Sequence, residues 1–168
     1  MDALITYVFS NFSLVTLIIA LLLGFLISVI DEKKLGAAGC YDAFLKYLFL
    51  IATGISGLYA FVLHGFFPEV SAEAIGWQPS PFQWEVAVAN LGFGLVCLCA
   101  AWGSRAFRLA AIIGISCWLW GDAAGHVQQM IIAGNFAPGN AGSWFWTDVT
   151  VPAFLIVFYR LWCQSRAN

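Results

Sequence analysis

Long runs of apolar residues separated by short polar links dominate the pattern of this chain. A membrane-spanning helix needs about 20 mostly apolar residues, and five stretches of the sequence provide them. They cover residues 4–30, 43–67, 82–103, 109–133 and 144–162. The pattern therefore predicts an all-α integral membrane bundle of five transmembrane helices, forming a single domain over residues 1–168.

Composition supports a membrane protein and excludes several other classes. Apolar residues make up 62% of the chain and charged residues 10%, whereas a soluble domain carries about 25% charged residues. A soluble fold of this size could not bury so much apolar surface. A nucleic-acid-binding protein would present a basic surface, but the formal net charge is −2. We therefore expect the lipid bilayer as a partner and no nucleic acid.

The basic residues predict an orientation in the membrane. All of them fall near alternate links of the five-helix path or at the C-terminus: Lys33, Lys34, Lys46, Arg105, Arg108, Arg160 and Arg166. Basic residues concentrate on the cytoplasmic side of membrane proteins. We therefore expect the N-terminus outside, the C-terminus in the cytoplasm, and a multi-pass protein of the cell inner membrane.

Five ionisable residues fall within or beside the predicted spans, in their outer halves: His64, Glu85, Asp122, His126 and Asp148. An ionisable group at the bilayer centre costs about 2.5–3.5 kcal/mol on insertion scales, so it needs a partner or a function. For the residues nearest the interface, His64, Glu85 and Asp148, simple solvation is the alternative. For Asp122 and His126 the alternative is a structural pair whose members satisfy each other.

The fourth predicted helix carries the most specific pattern. Asp122, His126 and Gln129 are spaced so that they share one face of a helix. Gly121 and Gly125 have the small-xxx-small spacing that lets another helix approach closely. We therefore expect Glu85 of the third helix near this face. The ligand-binding candidates are Asp122, His126, Glu85, Gln129, His64 and Asp148.

Two kinds of chemistry fit these side chains. Imidazoles with carboxylates suit a transition metal, for which the candidate ligands are His64, His126, Asp122 and Glu85. Without a metal, His126 can exchange a proton while Asp122 sets its tautomer, next to a bound quinone or lipid. The sequence leaves the identity of the cofactor open.

Three segments carry a resemblance to known proteins: residues 76–85 (GWQPSPFQWE), 89–94 (ANLGFG) and 121–126 (GDAAGH). They resemble an uncharacterised family of small bacterial multi-pass membrane proteins, itself weakly similar to the DoxX-like membrane proteins. The resemblance implies a helical bundle in a bacterial inner membrane and no defined activity.

The favoured function is an inner-membrane protein whose outer-leaflet His/carboxylate site binds a small ligand or metal, with redox or isomerase chemistry as the candidate reactions. One alternative is a non-catalytic accessory or structural subunit of a larger membrane complex, in which the small-residue stripes are packing surfaces. Another is a transporter, which for five helices would require a homo-oligomer.

Overall fold

The protein folds as a helical bundle in a computed structural model that describes residues 7–167, except for the side chains of residues 32–34. No β-strand occurs in this part of the chain. A π-helical segment, Leu48–Ile55, joins the second helix to the third. The helices are α1 (Phe12–Ile30), α2 (Glu32–Tyr47), α3 (Ser56–Phe66), α4 (Pro68–Ile75), α5 (Phe82–Ala100), α6 (Arg105–Ala133), α7 (Pro138–Ala141) and α8 (Ser143–Ser165).

Five helical stretches among the described residues are long and apolar enough to cross a membrane. This confirms the all-helical fold and the number of candidate spans that the sequence predicts. The first predicted stretch, 4–30, begins with residues 4–6, which lie outside the described part of the chain. The stretches are Phe12–Ile30, Leu35–Phe66, Phe82–Ala100, Arg105–Ala133 and Pro138–Ser165.

Three of these stretches begin earlier than the hydrophobic pattern suggests, the last of them at Pro138 rather than at 144. Helix α6 begins at Arg105 rather than at 109, because the Ser104 hydroxyl accepts a hydrogen bond from the backbone N–H of Phe107 and caps the helix. The second stretch begins near Leu35 rather than at 43. Gly36 interrupts α2 there with a φ of 60°, a conformation that glycine adopts without a steric penalty.

A buried arginine organises one end of the bundle. Arg108 is 4% exposed and its guanidinium donates to the backbone oxygens of Ala100 and Ala101, at 3.1 and 2.8 Å. These carbonyls close α5, so the side chain caps that helix. The same guanidinium pairs with Asp42 of α2 and lies over the ring of Trp162 in α8. We call this end the basic end and the opposite one, which carries His64 and His126, the histidine end.

The hydrophobic core lies between the basic end and the middle of the bundle. Its fully buried side chains come from α2, the π-helical segment, α5 and α8, and include Leu45, Leu48, Phe49, Cys97 and Leu155. Close packing continues toward the histidine end through glycines. A Cβ atom on Gly57 would lie 3.0 Å from the Cα of Gly94, so α3 and α5 meet backbone to backbone.

The links at the histidine end fold over the bundle and pack on each other. Helix α4 contacts α7, and a Cβ on Gly139 would lie 2.4 Å from the carbonyl oxygen of Ala74. The Asn135 amide donates to the backbone oxygen of Ile75 at 2.8 Å. Two loops distant in sequence therefore form one roof over this end.

Candidate functional site

A large cavity lies under this roof. It has a volume of about 1170 Å³, slightly above the range of about 300–1,000 Å³ typical of small-molecule sites. Its wall is mainly apolar and aromatic and includes Tyr59, Phe93 and Trp144. Exposed residues of the link before α5, among them Gln78 and Ser80, also line it, so the cavity reaches the surface. We call it the histidine cavity.

A buried asparagine anchors the roof to α6. The side chain of Asn140 is fully buried, and its amide nitrogen donates to the backbone oxygens of His126 and Asn135, at 3.2 and 2.9 Å. Its amide oxygen accepts from the indole N–H of Trp77 at 2.9 Å. An indole N–H is only a donor, so these bonds fix which way the amide points.

This orientation also fixes the tautomer of His126. The Nδ1 of His126 lies 2.8 Å from the amide oxygen of Asn140. Because that oxygen can only accept, Nδ1 carries the proton, and a neutral ring presents Nε2 as an acceptor. The Oδ2 of Asp148 lies 3.7 Å from Nε2, which is too far for a direct hydrogen bond.

Acidic side chains from two helices line the same cavity as this imidazole. Asp148 is 14% exposed in its side chain, and it lies near the start of α8. Asp122 lies one turn before His126 on α6. Both carboxyl groups line the histidine cavity. This part of the cavity wall therefore carries two carboxyl groups and an imidazole whose Nε2 accepts.

The second histidine of the cavity lining, His64, is held in the same way. Gln83 donates from its amide nitrogen to the backbone oxygen of Pro68 at 2.8 Å, so its amide oxygen faces His64. That oxygen lies 3.1 Å from Nδ1 of His64, which therefore also carries the ring proton. An amide fixes the tautomer of each of the two histidines in the chain.

A buried hydroxyl in the wall lacks a partner. Ser71 of α4 is 7% exposed, and among the described residues its Oγ has no hydrogen-bond partner. Buried polar atoms in native structures almost always have one. Ser71 lines the histidine cavity, but its Oγ is almost fully shielded from the cavity surface, so the hydroxyl is not presented to a molecule bound there.

The structure brings together four of the six residues predicted as ligand-binding candidates. Asp122, His126, Asp148 and His64 all line the histidine cavity. Glu85 is exposed and does not line it. Helix α5 faces the cavity with Gln83, Val86 and Asn90, and a residue two positions after Gln83 projects about 200° away.

Gln129 also lies outside the cavity lining. It lies about one turn beyond His126 on α6. Its backbone oxygen instead accepts from the N–H of Asn135 at the end of α6. The spacing that places Gln129 on the face of Asp122 is correct for a helix, but the histidine cavity does not extend to Gln129.

The predicted metal-ligand set is not assembled. Among the described residues, no three His, Cys, Asp or Glu side chains are grouped so that they could hold a metal ion. Three protein ligands are typical of a catalytic zinc site. Of the four metal candidates, Glu85 is on the exposed surface, and His64, His126 and Asp122 line the cavity without forming such a group.

Sequence reasoning missed the residues that position the histidines. Asn140 follows Pro138 and Gly139, a context typical of a turn, and nothing in that context indicates burial. Gln83 shares a predicted helix face with Asn90, a weak sign of a polar surface inside the bundle. Asn140 and Gln83 position the histidines through contacts between residues distant in sequence.

Comparison with known proteins identifies a family. A search of curated proteins found no match, and a search of solved structures found none either. The prediction of an uncharacterised family is confirmed, whereas the similarity to DoxX-like proteins and the bacterial origin stay predictions. The model of a family of unknown function, DUF6790, matches residues 10–168, and the chain therefore belongs to that family.

Proposed function

We propose that this protein binds a small amphipathic molecule in the histidine cavity, with a protonated amine as the head group. The observation that carries the proposal is the set of acceptors that faces the cavity around Nε2 of His126. An ammonium group offers three donors and a positive charge, which complement the carboxyl groups of Asp122 and Asp148.

The gap between His126 and Asp148 supports a donor as the missing partner. When the Asp148 carboxyl group is ionised, it and Nε2 of His126 are two acceptors 3.7 Å apart that gain no mutual hydrogen bond, and leaving buried acceptors unpaired costs about 1–3 kcal/mol each. A bound N–H or O–H group between them satisfies both. This argument favours an amine over a quinone, because quinone oxygens are acceptors. A metal ion would also satisfy the acceptors, but among the described residues no group of three His, Cys, Asp or Glu side chains is placed to hold one.

The rest of the cavity suits the apolar part of such a ligand. The Tyr59 ring stacks on Phe12 with centroids 4.1 Å apart and lies parallel to the Trp144 ring at 6.2 Å. The Tyr59 hydroxyl and the Trp144 indole are both bonded to the backbone, at Phe9 and Ser10. These rings therefore present fixed apolar faces, which also interact favourably with a cation.

Three probes that share one alkyl chain and differ in the head group test the proposal: dodecylamine, dodecanol and dodecanoate. The purified protein in neutral detergent should be stabilised most by dodecylamine, because binding to the folded state raises the melting temperature. Asp122→Asn and Asp148→Asn should each remove most of this shift. Glu85→Gln, which removes an exposed carboxylate outside the cavity, should keep it.

If all three probes change the melting temperature equally, the change comes from their mixing with the detergent micelle, and the proposal is overturned. An undiminished amine response in both cavity variants would also overturn it. The accessory-subunit alternative expects no selective stabilisation by any head group, and so this experiment separates the two functions.

We further propose that the histidine end faces outward from a bacterial inner membrane and the basic end faces the cytoplasm. The support is the distribution of charge, since Lys46, Arg105, Arg108 and Arg166 gather at the basic end and cytoplasmic ends of membrane proteins are enriched in basic residues. The ligand would then enter from the outer side.

A further inference from the structure

A second cavity lies at the basic end, on the far side of the hydrophobic core from the histidine cavity. Its volume is about 660 Å³. Among the described residues its lining contains four cationic side chains and one acid: Lys46, Arg105, Arg108, Arg166 and Asp42. We call it the basic pocket. The lining carries a formal excess of three positive charges, which is large for a chain with a net charge of −2.

The acidic side chain of the pocket lining, Asp42, is held in an ion pair that supports the fold. Asp42 accepts from the guanidinium of Arg108, and Arg108 also donates from Nε and Nη2 to the carbonyl oxygens that end α5. This pair is structural. The cationic character available to a ligand therefore comes from the other three side chains, Lys46, Arg105 and Arg166.

Tryptophans position two of these cations at the pocket wall. The Lys46 ammonium lies 5.2 Å from the centroid of the Trp102 ring, and the Arg166 guanidinium lies 5.3 Å from that of Trp162. Trp102 is 65% exposed. Exposed tryptophans beside basic residues are typical of the level of lipid head groups, and cation–π contacts hold the charges there without neutralising them.

We propose that the basic pocket binds a phosphate group, carried by an anionic phospholipid or by a soluble phosphate ester. Three cations around one cavity match the charge and acceptor oxygens of phosphate, for which arginine and lysine are the usual partners. This site is independent of the proposed amine site, because the two cavities share no lining residue.

Titrations of the full-length protein in neutral detergent test this proposal with three ligands: dioleoylphosphatidylglycerol, zwitterionic dioleoylphosphatidylcholine and inorganic phosphate. Native mass spectrometry counts the bound lipid, and the melting temperature follows phosphate. We expect one phosphatidylglycerol to bind in preference to phosphatidylcholine. Lys46→Gln and Arg166→Gln should each weaken this binding about fivefold, the effect of one basic residue near an anionic membrane surface.

Arg160→Gln is the matched control, since it removes one exposed cation outside the pocket lining and should leave binding unchanged. Stabilisation by phosphatidylglycerol alone identifies a lipid head group, and stabilisation by inorganic phosphate as well identifies a soluble phosphate ester as a ligand. The proposal would be overturned if neither phosphatidylglycerol nor inorganic phosphate binds. It would also be overturned if Arg160→Gln weakens binding as much as Lys46→Gln and Arg166→Gln do.

Discussion

Replacing Asn140 with alanine should destabilise the protein more than its place in a loop suggests. The fully buried amide makes four hydrogen bonds, to the indole of Trp77, to the ring and the backbone oxygen of His126, and to the backbone oxygen of Asn135. A typical hydrogen bond contributes about 0.5–1.5 kcal/mol. Four such bonds give about 2–6 kcal/mol, and water can partly replace the bond to Trp77, which is 36% exposed. We expect a loss of about 2–4 kcal/mol in the free energy of unfolding.

Unfolding by sodium dodecyl sulfate in mixed micelles, followed by circular dichroism, measures this loss. Asn90→Ala is the matched control, because the Asn90 amide also lines the histidine cavity but donates only to the backbone oxygen of Val86 in its own helix. That variant should lose less than about 1 kcal/mol. If both variants lose the same free energy, or if Asn140→Ala loses less than about 1 kcal/mol, the roof does not depend on this amide.

The same variant tests the tautomer of His126. Nitrogen NMR of the imidazole should show the proton on Nδ1 in the native protein, because the amide oxygen of Asn140 accepts it. Loss of that oxygen should leave a mixture of tautomers. With two histidines in the chain, the His64 signals provide an internal reference that Asn140→Ala should leave unchanged.

Three further outcomes are expected. Arg108→Gln should lose roughly 1–3 kcal/mol in the same unfolding titration by leaving the carbonyls at the end of α5 unpaired, and Arg160→Gln should lose little; equal losses would contradict this. Gly57→Ala should lower the melting temperature, because its Cβ would lie 3.0 Å from the Cα of Gly94. Gly92→Ala, with nothing within 4 Å of the added Cβ, should not lower it. A reporter active only in the periplasm, fused to the C-terminus, should stay silent; a strong signal would reverse the proposed orientation.

The sequence predicts the helices well because the cost of polar groups in a membrane leaves few alternatives. Apolar length alone indicates the five stretches. Their ends are less predictable where a charged residue is part of the helix. The sequence pattern places Arg108 in a polar link between two helices. In the fold, however, Arg108 is buried against Asp42 and Trp162. Helix α6 therefore begins before the apolar pattern does.

The candidate site is predictable to the extent that it depends on helical spacing. Asp122 and His126 are one turn apart on α6, and both line the cavity. Glu85 is excluded by the rotation of α5, which a single sequence does not reveal. The partners of the histidines, Gln83 and Asn140, depend on contacts across 19 and 14 positions, and no local pattern encodes such contacts.

The π-helical segment restricts how the chain can change length during evolution. An extra residue in a π-helical turn shifts everything beyond it by about 100° relative to a continuous α-helix. Here the segment Leu48–Ile55 separates α2, which packs on α1 and α8, from α3, which packs on α5. A deletion of one residue within this segment would rotate α3 and turn His64 away from Gln83, although neither His64 nor Gln83 would itself be substituted. Relatives that keep this cavity should therefore conserve the number of residues between the basic end and His64 more strictly than their identities.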